Sequence, residues 1–324
     1  MFQKYKYVLA VYKEQSITGA AQKLFISQPS LSVAIRSIEK KIGGPLFERS
    51  GFGVRPTEIG KAYIAAAQKM QFAEDAFQRQ FEDISGLQTG KLVIGGSNYL
   101  SSDVIPQLVS RFRRQYPGVE IVLVEANSVH LREMLSNEDV DLVIDNFENF
   151  PEIFERYPLI DEHIMLCLPG DRSVHQSLKE FQILPESIYT DPGCLKQVSS
   201  LDISVFKDEP FVLLKSGNDM YDRAMQMFDS VSVVPHVVFC VDQLNISYAL
   251  AESGSGACFI TNTFFRYRKH ITNMVLYKLE HQLARRTLHI AHKKNRYCTR
   301  AMSEFIQVAQ EIINSDSLPD NPAL

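Results

Sequence analysis

The stretch Gln15–Arg49, QSITGAAQKLFISQPSLSVAIRSIEKKIGGPLFER, constrains this chain more than any other. Ser16 and Thr18 are natural caps for a short helix with Ala20, Ala21 and Leu24 on its inward face. Phe25-Ile26 ends that helix and turns the chain. Ser27 can cap the next helix, and Pro29 falls in its first turn, where a missing N–H costs nothing. Leu31, Ala34, Ile35 and Ile38 then face inward at helical spacing. Gln28, Ser30, Ser32, Val33 and Arg36 are left pointing out. Gln and Ser can bond base edges, Arg can bond guanine or phosphate, and Val can touch a thymine methyl. Taken alone, the same pattern also suits an amphipathic helix with a solvated face.

The flanking residues narrow that choice. Ahead of the pair, Phe2, Tyr5, Val8, Leu9 and Tyr12 predict another amphipathic helix. After it, Gly51 and Gly53 permit a tight hairpin, with Arg49 and Arg55 flanking its tip. Three short helices and a hairpin make a winged helix-turn-helix, whose wing grips the backbone or minor groove. Charge agrees. Residues 1–58 carry nine Lys or Arg against four Asp or Glu, while the whole chain is net −4. A basic head on an acidic body suits an N-terminus that meets phosphates.

At 324 residues the chain is long enough for two or three domains, and 45% hydrophobic content argues against general disorder. No apolar run approaches the ~18–20 residues that span a bilayer. The start, MFQKYKYVLAVYKEQ, is too charged for a signal peptide, so a cytoplasmic location and no membrane partner are expected. Five scattered cysteines form no CxxC pair and suggest neither a disulfide framework nor a zinc site. Most are expected in the core; Cys194, in the turn-like DPGCLK, is the candidate for exposure.

Residues 1–58 resemble the DNA-binding domain of LysR-type transcriptional regulators. The resemblance rests on Ser16, Thr18, Ala20-Ala21, Leu24, Ser27-Gln28-Pro29-Ser30-Leu31-Ser32, Ile35, Leu46-Phe47, Arg49 and Thr57-Glu58-Ile59-Gly60. Gly19 and Gly44 depart from the family's usual choices without removing a base-reading position. The DNA-binding set is therefore Thr18, Ser27, Gln28, Pro29, Ser30, Ser32, Val33 and Arg36, with Arg49 and Arg55 from the wing.

From Thr57 to Leu87 no proline intervenes. Ile59, Tyr63, Ala66, Met70, Ala73, Phe77, Ile84 and Leu87 recur in steps of four and three, interrupted at Gln80. That is a coiled-coil seam, and it predicts a dimerising linker helix over residues 59–88. In the family resembled, this helix pairs two subunits and spaces their recognition helices. Ser85-Gly86 and Gln88-Thr89-Gly90 read as a hinge.

Beyond the hinge, strand-like runs at Lys91–Gly96, Val119–Glu125 and Val140–Asp145 alternate with helical stretches, which predicts a parallel α/β sheet. Further strands are expected at 164–168, 211–215, 237–241 and 257–260, and a last helix over 299–313. This body resembles the family's effector-binding region, itself similar to type II periplasmic binding proteins. The resemblance implies two α/β subdomains, about 91–165 with 268–312, and about 166–267, ahead of a tail at 313–324. The fold class is thus multidomain α/β: a winged helix-turn-helix, a linker helix and a two-subdomain effector domain.

Ligands of such folds bind outside the C-terminal ends of the strands, where helix N-termini converge. The candidates there are Ser97, Asn98, Tyr99 and Ser102, then Asn127 and Ser128, then Asp145 and Asn146, with Lys215, Ser216 and Thr261 from the second subdomain. Lys215 favours a small carboxylate; Asp145 favours an amine or a zwitterion. No GxSxG, P-loop, HExxH or GxGxxG constellation occurs, so no enzyme, metal or cofactor is expected. The partners expected are double-stranded DNA at promoter half-sites, a small-molecule effector, RNA polymerase and further copies of the chain as a dimer of dimers, a homotetramer. A constitutive architectural DNA binder, and a solute-binding protein or enzyme with an incidental basic head, are the competing readings.

Overall fold

The computed structural model describes residues 4–50, 53–84, 90–146, 151–191, 193–266 and 272–314. The chain divides into two compact units, residues 1–84 and 85–324, each with its own apolar core.

The first unit opens with α1 (Tyr5–Glu14), α2 (Ile17–Lys23) and α3 (Gln28–Ile42). Ser16 caps α2 by accepting the Gly19 N–H, and Ser27 caps α3 by accepting the Ser30 N–H. Leu31, Ala34, Ile35 and Ile38 of α3 pack inward with Val8, Leu9, Ala20 and Ala21. On α1 the inward side includes Val11 rather than Tyr12, which is 41% exposed. Between α2 and α3, Phe25 turns the chain at φ 55° with its ring in solvent. Strands β1 (Phe47–Ser50) and β2 (Gly53–Pro56) form the antiparallel wing, tied to the end of α1 by the Val54 N–H on the Gln15 carbonyl.

The long helix α4 (Glu58–Ile84) starts on a compact cap. The Thr57 hydroxyl accepts the Gly60 N–H and donates to the Pro45 carbonyl at 2.6 Å. Gly60 is obligatory here, because a Cβ would lie 1.9 Å from the Leu46 carbonyl oxygen. Gly60→Ala is expected to destabilise the first unit by about 1–3 kcal/mol through this overlap, read as a lower midpoint in thermal unfolding. An unchanged midpoint would contradict that packing. Along α4, Tyr63, Ile64 and Ala67 join the core of the first unit, while Met70, Ala73 and Phe77 stay exposed. Of the expected seam, Tyr63 is therefore taken up by the core, while Ile59 at its start and Met70, Ala73 and Phe77 further along stay exposed. Leu87 and the hinge at 85–89 lie outside the described residues, as do residues 315–324 of the tail and the side chains of Gln80 and Ile84.

The second unit is built on a nine-stranded sheet. It begins β3 (Gly90–Gly96), α5 (Ile105–Gln115), β4 (Val119–Glu125), α6 (Ser128–Ser136), β5 (Leu142–Asp145). A single π turn, Leu100–Val104, precedes α5. The 16-residue β6 (Phe154–Pro169) follows, then α7 (Pro185–Thr190) and α8 (Cys194–Gln197). Next come β7 (Pro210–Leu214), α9 (Asp219–Ser230), β8 (His236–Val241), α10 (Leu244–Glu252), β9 (Ala257–Thr261) and α11 (Asn262–Arg266). Strands β10 (Met274–Lys278) and β11 (Arg285–Lys293) and helix α12 (Arg300–Asn314) complete it.

The strand order is β4-β3-β5-β11-β6-β9-β7-β8, with β10 also on β6. β3 pairs parallel with β4 and β5, and β7 with β8 and β9. The sheet as a whole is mixed rather than parallel, because β6 and β11 run against their neighbours. β6 explains the two halves: its first part pairs with β11, its last part with β9 and β10. β10, expected with the first half, pairs instead with Met165–Pro169, so the return to the first half follows β10. Short strands such as MVLYK carry no marker of which half of a sheet will take them.

Candidate functional site

In the first unit, the first turns of α3 face solvent. Gln28, Pro29, Ser30, Val33 and Arg36 are exposed, Ser32 is half-buried, and Val33 alone presents 65% of its surface. Thr18 and the capping Ser27 are exposed as well. The polar side chains hold one another: Ser27 Oγ lies 2.7 Å from Ser30 Oγ, and Gln28 Nε2 donates to Ser32 Oγ at 3.0 Å. These bonds orient the side chains yet compete with water, so base edges can replace them at small loss. On the wing, Arg55 is exposed and pairs in register with Glu48, as Arg49 does with Val54. The side chain of Arg49 lies outside the described residues. The exposed Lys40 and Lys41 in the last turn of α3 add positive charge to the same unit.

In the second unit, the C-terminal ends of the two parallel strand sets surround a cavity of about 270 Å³. Ser97, Asn98 and Tyr99 enter it after β3, Asn127 and Ser128 after β4, and Asp145 and Asn146 from β5. Two of the residues are helix caps: Asn127 accepts the His130 N–H of α6 and, opposite, Asn218 accepts the Met220 N–H of α9. Asn98 ties both sides of the cleft together, donating to Glu125 and accepting from Asn245 of α10 at 2.9 Å.

Four of the expected residues do not line the cavity. Ser102 sits on the π turn, where its hydroxyl donates to the Tyr99 carbonyl. Lys215 is exposed and donates to Asp242, 2.7 Å away, and Ser216 is exposed beside it. Thr261 is fully buried. The cavity instead takes Asn218, Asp219, Asp242 and Gln243 from the second half and Arg286 from β11. Asn218-Asp219 repeats the strand–cap–helix pattern of Asn127-Ser128, and that signal was available in the sequence. Arg286 was not, since nothing in RRTLHIAHK marks which arginine turns inward.

Arg286 organises a buried polar cluster. Its side chain is 7% exposed; Nε donates to Glu162 Oε2 and Nη1 to Asp219 Oδ2, both at 2.7 Å. Asp219 also accepts from Arg223 Nε at 2.9 Å and Asn146 Nδ2 at 2.6 Å. The Tyr99 hydroxyl donates to the other oxygen of Glu162. Burial opposes the Arg286 charge, but Glu162, Tyr99 and Asp219 outweigh it and raise its pKa well above the usual value. Burial and the Glu162 carboxylate push the Tyr99 phenol well up. Asp145 differs. Its Oδ1 accepts the Asn146 N–H at 2.7 Å, while the buried Oδ2 has no hydrogen-bond partner. Burial raises its pKa; the nearby Ser128 hydroxyl, short of good hydrogen-bond geometry, the Asn146 amide and Arg286 oppose that rise.

The cysteines divide differently than expected. Cys167 and Cys258 face each other in the β6–β9 register and are buried, whereas Cys240 is exposed on β8. Cys194 is half-buried, and burial together with Asp191 raises its thiol pKa, the opposite of activation.

Residues 2–61 match the model of the bacterial regulatory helix-turn-helix protein, lysR family, and residues 85–313 match that of the LysR substrate binding domain. An uncharacterized HTH-type transcriptional regulator of Bacillus subtilis, YcgK, is 26% identical over 306 residues, covering 94% of this chain and 93% of that protein. A probable RuBisCO transcriptional regulator of Trichormus variabilis is 26% identical over 317 residues, covering 96% and 87%. Among solved structures, full-length OxyR of Pseudomonas aeruginosa, as a Cys-to-Asp variant, superposes with a TM-score of 0.67 at 20% identity, covering 97% of both chains. Full-length CbnR complexed with its target DNA gives a TM-score of 0.60 at 15% identity, covering 95% of this chain and 99% of that one.

Proposed function

Because the chain belongs to the LysR family of transcriptional regulators, we propose that it binds promoter half-sites as a homo-oligomer and answers to a small molecule held in the cleft of its second unit. The helix-turn-helix is its DNA-binding domain and the second unit its effector-binding domain. The observation that carries the finer reading is the polar set at the start of α3, with exposed Ser30 hydrogen-bonded to Ser27 and exposed Gln28 to the half-buried Ser32. In this reading α3 enters the major groove, Val33 and Arg36 contact further bases, and Arg55 of the wing grips the backbone. The exposed Met70, Ala73 and Phe77 of α4 pair two copies. The apolar edge strand β8, with Phe239 47% exposed, supports a further pairing into a tetramer.

The ligand acts by preferring one arrangement of the two halves around the cleft, which alters the spacing of the heads and the bend of the DNA. No catalytic role is proposed for the second unit, and the cytoplasm is the proposed location. Among the described residues no helix is long and apolar enough to cross a membrane.

Footprinting on the protein's own promoter region at about 150 mM salt tests the reading. Protection of two half-sites is expected; none, with only salt-sensitive binding everywhere, would contradict it. Gln28→Ala or Ser30→Ala is expected to lose about 1–3 kcal/mol of discrimination at one base position. Arg55→Ala is expected to weaken binding evenly across sequences and to lower the salt slope by about one. Equal losses from all three variants on every sequence would overturn these roles.

A further inference from the structure

The charged groups around the cleft indicate what chemistry it can receive. Among the described residues, Glu125, Asp145, Asp219 and Asp242 line it against one lining cation, Arg286. That cation is engaged on both sides by Glu162 and Asp219. A ligand carboxylate approaching Arg286 would meet those two acidic groups and would have to displace one of them. Lys215 does not itself line the cavity, but its ammonium pairs at 2.7 Å with the lining carboxylate of Asp242 and offsets that charge. Glu125 already takes the Asn98 amide, and Asp219 takes donors from three side chains.

Asp145 stands apart. The residue is 3% exposed, it lines the cavity, and its Oδ2 is buried without a hydrogen-bond partner. The Ser128 hydroxyl lies beside this carboxylate, and a small turn of the Asp145 side chain toward the cavity would let a charged donor bound there satisfy the buried oxygen. The cavity, at about 270 Å³, falls below the range of drug-sized pockets and matches a small metabolite. Ser97 and Ser128 supply hydroxyls around the same space.

We propose that the effector is a small molecule bearing an ammonium group, which Asp145 receives as an ion pair. The inference rests on the reading of this cleft as the effector site. Free amino acids and simple amines both carry that group, and the test separates them.

The full-length protein is followed by thermal unfolding against four sets of probes. These are the standard L-amino acids; their N-acetyl derivatives; the amines ethanolamine, putrescine and agmatine; and the carboxylates acetate, succinate, benzoate and 2-oxoglutarate. At least one amino acid or amine is expected to raise Tm by roughly 5–10 °C at about a hundredfold excess over Kd. N-acetylation of an amino acid that binds should abolish the shift, and Asp145→Asn should weaken binding by at least about tenfold. If that variant does not fold, the N-acetyl comparison on the unaltered protein decides alone. Binding of an amine without a carboxylate assigns the ammonium as the sole charged determinant; binding of amino acids only assigns a zwitterion. Stabilisation by carboxylates that lack an amine, with none by the amino acids and amines, would overturn the inference and leave the sensor reading standing. No stabilisation by any probe would overturn both.

Discussion

Arg286→Ala is expected to lower the stability of the second unit by roughly 3–5 kcal/mol. The guanidinium is the positive centre of a buried cluster, donating to Glu162 and Asp219 at 2.7 Å each. Glu162 is 1% exposed, so truncating its partner leaves a carboxylate with no water to replace the lost charge. Arg223 continues to serve Asp219, but from the far oxygen, so it cannot relieve Glu162. Urea unfolding followed by near-ultraviolet dichroism would register the loss as a lower midpoint at unchanged slope. Removing the charges together, as Arg286→Met with Glu162→Gln, should recover part of it, because the large penalty belongs to the orphaned carboxylate. A loss below about 1 kcal/mol for Arg286→Ala would mean that the cluster is solvated.

Leu31→Ala should be the second large effect, and it should be confined to the first unit. Leu31 is fully buried in the small core made by α1, α2, α3 and the start of α4. Deleting a buried leucine to Ala costs about 2–5 kcal/mol, a large share of what a head of this size can hold. DNA binding is therefore expected to disappear. The core of the second unit shares no residue with that of the first, so its unfolding transition and its ligand response should persist. Two transitions in the variant, one lowered and one unmoved, would bear this out. A single transition shifted as a whole would show that the units fold as one.

The head was largely legible in the sequence because its signals are local. Ser16 and Ser27 announce caps within three residues of the groups that they bond, and Leu31, Ile35 and Ile38 mark one helical face. Thr57 and Gly60 entered only through the family resemblance, and their roles as cap and close approach come from the structure. The parallel strands β3, β4, β5, β7, β8 and β9 were legible as short apolar runs. The mixed character of the sheet was not, because it is fixed by β11, whose partners, Val143–Asp145 of β5 and Phe154–His163 of β6, lie more than a hundred residues away. The cleft divides in the same way. Asn127, Ser128 and Asp145 follow directly from strand ends, whereas Lys215 and Ser216 were misplaced by the extra turn that carries the chain to Asn218. Arg286 and Glu162 meet only through the register of β11 on β6.

The central claim is that the exposed start of α3 reads DNA sequence. Repeated selection from a random duplex library, with sequencing of the bound fraction, tests it most directly. The unaltered protein is expected to enrich two related half-sites with dyad symmetry, spaced by one or more helical turns. Gln28→Ala should retain that spacing and lose the preference at one position in each half-site. Enrichment of no motif by the unaltered protein, or of the same motif undiminished by Gln28→Ala, Ser30→Ala and Arg36→Ala alike, would contradict the account.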